Sequence, residues 1–107
     1  MYNIAVVTTT LPGNQSDNDV MKFQSSPIEQ GLCACSQSQR IDSSYMWKGE
    51  LQHDAEWSIT LKTTLSKLEH LIAYLDEAHP YDVPQIVYNK ETTTQAYYSW
   101  MLETLVD

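Results

Sequence analysis

The chain has 107 residues, with 6 Lys+Arg against 14 Asp+Glu and a formal net charge of −8. That length fits a single domain over residues 1–107, burying roughly two-thirds of the surface its unfolded form exposes. Lys22, Arg40, Lys48, Lys62, Lys67 and Lys90 are scattered through the chain, so no basic patch offsets the acidic surface, and nucleic acid and membrane are excluded as expected partners.

The opening stretch "MYNIAVVTTTLPG" has no basic leader, and its apolar run is too short for a signal peptide or a membrane span, so a cytoplasmic protein is expected. Residues 2–9 are β-branched and apolar on both parities, the pattern of a strand buried on both faces. After "LPGN", residues 14–32 place Val20, Phe23, Ile28 and Leu32 near helical spacing. Pro27 lacks an amide donor and crowds the preceding turn, so a kinked or two-piece helix is predicted there. Cys33 to Trp47 reads as a strand and "KGE" at 48–50 as a hairpin turn. The next strand alternates: Leu51, His53, Ala55, Trp57, Ile59 and Leu61 on a core side, Gln52, Asp54, Glu56, Ser58, Thr60 and Lys62 on a polar side.

In "KTTLSKLEHLIAYLDEAHPYDVP", Leu65, Leu68, Leu71, Ile72 and Leu75 form an apolar helical stripe, and Ser66 with Glu69 makes a capping-box pattern. Pro80 pushes His79 out of helical geometry and ends the run. Residues 84–90 read as a strand beginning at Pro84. "ETTTQ" then caps a terminal helix with the stripe Tyr97, Trp100, Met101 and Leu105. The order βαββαβα is that of an α+β, ferredoxin-like βαββαβ sandwich with an extra C-terminal helix. Helices on one face only are expected, leaving the other for water or another subunit.

The ordered set "CACS", "SSYMWKGEL", "LKTT", "HPYDVPQIV" and "AYYSWM" resembles the CutA family of divalent-cation tolerance proteins over residues 2–106. The resemblance implies a ferredoxin-like subunit in a compact, cytoplasmic homotrimer that binds copper(II) or other divalent cations weakly, with no organic cofactor. It also brings a likeness to PII-type trimers, which bind small molecules in clefts between subunits. Departures are the polar start of the first helix, Gln85 where a glutamate is common, and Thr9 where some members carry a cysteine.

Three residues are candidate metal ligands. His79, in the last turn of its helix, either answers the negative end of the helix dipole or supplies imidazole nitrogen to copper or zinc. His70 lies nine residues earlier, on the opposite side of the helix, and cannot chelate with it. Cys35 is either a small buried hydrophobe or, as thiolate, the softest ligand in the chain. Cys33 shares its parity; a disulfide between the two is not expected, but a Cys-x-Cys grip on a thiophilic ion is open. His53, Asp54 and Glu56 cluster on one strand, as a solvated edge or as a weak cation site in which Glu56 is the leading member, a place where the family commonly has an acidic residue. Trp47, Lys62, Tyr81, Tyr97 and Trp100 fill a core and a trimer seam or line an intersubunit cleft. Catalysis lacks support: there is no nucleophile elbow, no phosphate-cradling loop among only 3 Gly, and no His-Glu hydrolase pair, so a non-enzyme is expected.

Overall fold

A computed structural model describes residues 1–105; positions 106 and 107 of the expected domain lie outside the described residues. The elements are β1 (Tyr2–Pro12), α1 (Asp17–Glu29), β2 (Cys35–Trp47), β3 (Glu50–Thr63), α2 (Leu68–Ala78), β4 (Ile86–Thr93) and α3 (Gln95–Thr104). The sheet order is β2-β3-β1-β4, with every neighbouring pair antiparallel. This is the expected ferredoxin-like arrangement with its added helix.

β1 is apolar on both parities because both faces of its sheet are covered. On one face Val7 and Leu11 join Ile59, Leu61 and Cys33 under Val20 of α1 and Leu71 and Leu75 of α2. On the other, Ile4, Val6 and Ala34 pack against Met101 and Leu105, the stripe of α3. The expectation of helices on one face is therefore corrected: α3 crosses to the second face, since two helices already fill the first and only Ile4 and Val6 remain to receive its apolar side.

α1 is a single helix rather than two pieces. Pro27 sits in its last turn, where few amide donors remain to be lost, and Ser16 with Asp19 closes a capping box at the start. α2 begins later than the Ser66–Glu69 pattern suggests, because Leu65–Lys67 form a 3₁₀ turn and the N-cap position falls at Lys67, with no side-chain capping hydrogen bond to the helix. α3 starts as expected, the Thr94 hydroxyl accepting from the Tyr97 amide at 3.3 Å. β4 begins at Ile86, two residues after Pro84.

Lys48 (φ 49°) and Gly49 (φ 80°) form a two-residue turn with both φ positive, the conformation whose twist matches the flanking strands. That turn locks the β2–β3 register at Trp47↔Glu50. β1 leaves β3 at Pro12↔Glu56, so residues 42–55 continue as a bare two-stranded arm roughly 20 Å long at 3.3 Å per residue. The arm lifts the radius of gyration to 14.7 Å, against about 13 Å for a compact chain of this length. It also corrects the core side drawn for β3: Ile59 and Leu61 are buried, whereas Leu51, His53 and Ala55 are exposed beyond the helices.

Candidate functional site: an acidic cleft at the root of the arm

β4 starts opposite Thr9, so the last residues of β1 have no fourth strand beside them. The segment 79–85 fills that gap, and His79 anchors it. The Tyr81 amide donates to His79 Nδ1 at 3.1 Å, which leaves the proton on Nε2, 3.0 Å from the buried Thr9 hydroxyl. The ring stands edge-on to Phe23 of α1 (6.1 Å between centroids) and leans on Tyr81 (5.1 Å). Burial holds its pKa below the ordinary histidine value, so the neutral ring this hydrogen-bond pattern requires is the favoured form. Both nitrogens are engaged; His79 is first an architectural residue that turns the chain around the sheet edge.

That turn carries Tyr81 to the opposite face, where its hydroxyl donates to Glu56 Oε2 at 2.7 Å. Glu56 is only 8% exposed, and Tyr81 is its one hydrogen-bond partner among the described residues; Oε1 is open to solvent rather than buried without a partner. Higher on the arm the Tyr45 hydroxyl donates to Asp54 Oδ2 at 2.6 Å. Burial and then the Glu56 bond push the Tyr81 hydroxyl well above the usual phenol range, and the Asp54 bond raises that of Tyr45. Both phenols therefore keep their protons and go on donating at neutral pH. Glu56, Tyr45, Tyr81 and Trp47 line a cleft of about 680 Å³ with Thr10, Ser43, Asp82 and Gln85.

The sequence-predicted residues fall into two groups. Glu56, His79, Tyr81 and Trp47 meet at this cleft or against its wall. Cys35 and Lys62 face each other across β2 and β3, six residues along β3 from Glu56 and so roughly 20 Å away. Tyr97 neighbours Cys35 there, burial and then the adjacent thiol holding its hydroxyl above the usual phenol value, and Trp100 leans on Tyr97 with centroids 5.5 Å apart. Within one chain Cys35, His79 and Glu56 do not converge, and among the described residues no three His, Cys, Asp or Glu side chains are grouped to hold a metal ion. Cys33 and Cys35 do not share a side: Cys33 lies in the core under α1 and α2 while Cys35 neighbours α3 on the other face. Burial pushes the Cys33 thiol up to about 12, so the Cys-x-Cys grip is corrected to a single accessible thiol. His53 does not itself line the cleft but bonds, at 2.8 Å, the hydroxyl of Ser44, which does.

Sequence reasoning missed Asp82 and the pairing of Tyr45 with Asp54. The second was within reach, because the two-residue turn fixes the register and puts those positions diagonally on one face. The first depends on how a loop wraps an edge, which no periodicity encodes.

The fold recurs in known proteins. The chain aligns with a divalent-cation tolerance protein CutA of Thermotoga maritima at 38% identity, over 74% of this chain and 79% of the relative. A CutA of Pyrococcus horikoshii matches at 31% identity over 92% and 94%. Among solved structures, CutA from Synechococcus elongatus superposes with a TM-score of 0.90 at 25% identity, covering 99% of this chain and 93% of that one. Residues 5–104 match the family described as CutA1 divalent ion tolerance protein, and this chain belongs to that family.

Proposed function

We propose that this CutA-family chain works as a cytoplasmic, non-catalytic homotrimer that binds divalent cations, copper(II) by preference and weakly, in a tolerance or buffering role. The observation that carries the reading is the division of the candidate ligands: Glu56 and His79 at one end of β3, Cys35 at the other. Copies closing head-to-tail around a threefold axis would bring one subunit's Cys35 end to the next subunit's Glu56 end, completing a site that a single chain leaves open. Imidazole, thiolate and carboxylate together suit copper. Glu56 enters with a free oxygen, whereas His79 would give up its bond to Thr9 or to the Tyr81 amide.

The arm supports assembly. Tyr45, Met46, Trp47 and Leu51 are all exposed on it, on both faces of a ribbon that is marginal alone. Trp47, Lys62, Tyr81, Tyr97 and Trp100 would then line a shared cleft. Two free cysteines agree with a reducing compartment, and no helix among the described residues is long and apolar enough to cross a membrane. Among the described residues no carboxylate hydrogen-bonds His53, so its contact with Ser44 lacks the third member of a catalytic triad.

Calorimetric titration with copper(II) tests the reading, run alongside light scattering for oligomer mass. A saturating isotherm that weakens in the Cys35→Ser, His79→Ala double variant and in Glu56→Gln supports it; an unchanged isotherm in both variants rejects the ligand set.

One observation favours a second reading, a PII-like module that binds a small molecule in the cleft. A cation with six waters, at about 30 Å³ each, would fill under a third of the roughly 680 Å³ available, a volume typical of small-molecule sites.

A further inference from the structure

Residues 79–85 join α2 to β4 and belong to neither. Among the described residues they make no backbone–backbone hydrogen bond, and Pro80 and Pro84 have no amide to donate. Two side chains tie the segment down instead. His79 reaches the Thr9 hydroxyl and accepts the Tyr81 amide, and Tyr81 reaches Glu56.

The bonding of His79 sets a condition on any cation that uses it. A neutral imidazole has one protonated nitrogen and one lone-pair nitrogen. Here the lone pair is on Nδ1 and receives the Tyr81 amide at 3.1 Å, while Nε2–H faces the Thr9 hydroxyl at 3.0 Å. A cation coordinates through the lone pair. At Nδ1 coordination displaces the Tyr81 amide directly. At Nε2 it forces the remaining proton onto Nδ1, where two N–H groups then oppose each other. With either nitrogen the bond to the Tyr81 amide is lost, so coordination by His79 and closure of the segment exclude each other. The loss carries on to the cleft, because the residue that gives up its amide partner is the one whose hydroxyl sits on Glu56 Oε2 at 2.7 Å.

We infer that residues 79–85 form a latch closed by the metal-free His79 ring: coordination of a divalent cation by His79 opens it, Tyr81 leaves Glu56, and both carboxylate oxygens of Glu56 become free. The inference rests on the cation-binding reading and adds its regulation. By linkage, whatever holds Tyr81 in the cleft weakens the cation at His79, and the cation weakens that occupant by the same factor. Thr9 becomes a positioning residue. Its buried hydroxyl holds the ring in the closed tautomer, and it lies opposite Ile59, three positions along β3 from Glu56 and on the other face of the sheet.

Zinc(II), diamagnetic and well matched to imidazole, is the probe, added to the intact protein and followed by NMR and calorimetry. Before any metal is added, the imidazole nitrogen resonances should place the His79 proton on Nε2; a proton on Nδ1 would overturn the latch. At saturating zinc the Tyr81 amide should exchange with solvent at least about tenfold faster, and His79→Gln should abolish that increase. Thr9→Val removes the hydroxyl and should tighten zinc about two- to tenfold, since weakening the closed form raises the fraction competent to bind. A residue that only supports the fold would leave zinc affinity unchanged or lower it. Zinc binding that leaves the Tyr81 amide protected, or that Thr9→Val fails to tighten, would overturn the latch and leave the cation reading standing. Flat calorimetric traces for zinc and copper(II) alike would overturn both.

Discussion

Tyr81→Phe removes one oxygen and little else, which makes it the sharpest probe of how the loop, the sheet edge and the cleft depend on each other. The hydroxyl donates at 2.7 Å to a carboxylate that is 8% exposed and has no other hydrogen-bond partner among the described residues. A bond to a charged acceptor contributes about 1.5–3 kcal/mol, and a buried acceptor left without its donor adds desolvation cost. The ring should keep its contact with His79, so packing loss is small. A destabilisation of about 2 kcal/mol over a urea slope of about 2 kcal/mol/M lowers the unfolding midpoint by about 1 M. Tryptophan fluorescence during urea unfolding, at fixed protein concentration, reads that shift directly. A cycle with Glu56→Gln isolates the charge: in that background the same tyrosine change should cost only about 0.5–1.5 kcal/mol, the range for a neutral pair. A midpoint within about 0.2 M of the wild type would refute the view that Tyr81 compensates Glu56, and equal losses in both backgrounds would refute the role of the charge.

Gly13→Ala should be strongly destabilising, since a Cβ there would stand 2.3 Å from the Ala55 carbonyl oxygen and 2.6 Å from its carbon. Overpacking of this kind costs about 1–3 kcal/mol, visible as a lowered urea midpoint, and a change under about 0.5 kcal/mol would contradict the close approach. One thiol, Cys35, should react with a disulfide reagent at pH 8 in the folded protein and two after denaturation. With Cys33 pushed up to about 12 its thiolate is about one part in ten thousand at that pH, so two fast thiols in the native state would contradict the burial. His79 titrates below its ordinary 6.5 in the folded state, so between that value and its folded pKa the unfolded chain binds more protons. Its contribution to stability is therefore full above pH 6.5 and lost as pH falls through the window beneath it. His79→Gln should flatten the pH dependence of the urea midpoint there, and parallel curves for the two proteins would contradict the assignment.

Element types and strand order were legible because period-two and helical patterns, a Lys48–Gly49 turn and the caps at Thr94 agree with one another. β1 even carried the information that was misread. Apolar residues on both of its parities demand cover on both faces, and α3 supplies that cover within the chain at Ile4 and Val6. The alternation of Leu51, His53 and Ala55 with Gln52 and Asp54 predicted a core side correctly for strand geometry but not for burial. Periodicity reports which side chains share a face; whether a helix reaches that far depends on the lengths of β1 and the helices. The site divided along the same line. Glu56, Tyr81 and Trp47 were named from the sequence and line one cleft, with His79 anchoring its wall, whereas Cys35, Lys62, Tyr97 and Trp100 lie at the other end of β3, a distance that spacing alone converts to roughly 20 Å once both ends are known to lie on one straight strand.

A crystal structure of the assembled protein after soaking in copper(II) would test the cation-binding account most directly. The account predicts three copies around a threefold axis and copper on the free oxygen of Glu56, with at least one ligand from a neighbouring copy. A monomer in the crystal and in solution, or copper bound only at sites remote from Glu56, His79 and Cys35, would contradict it.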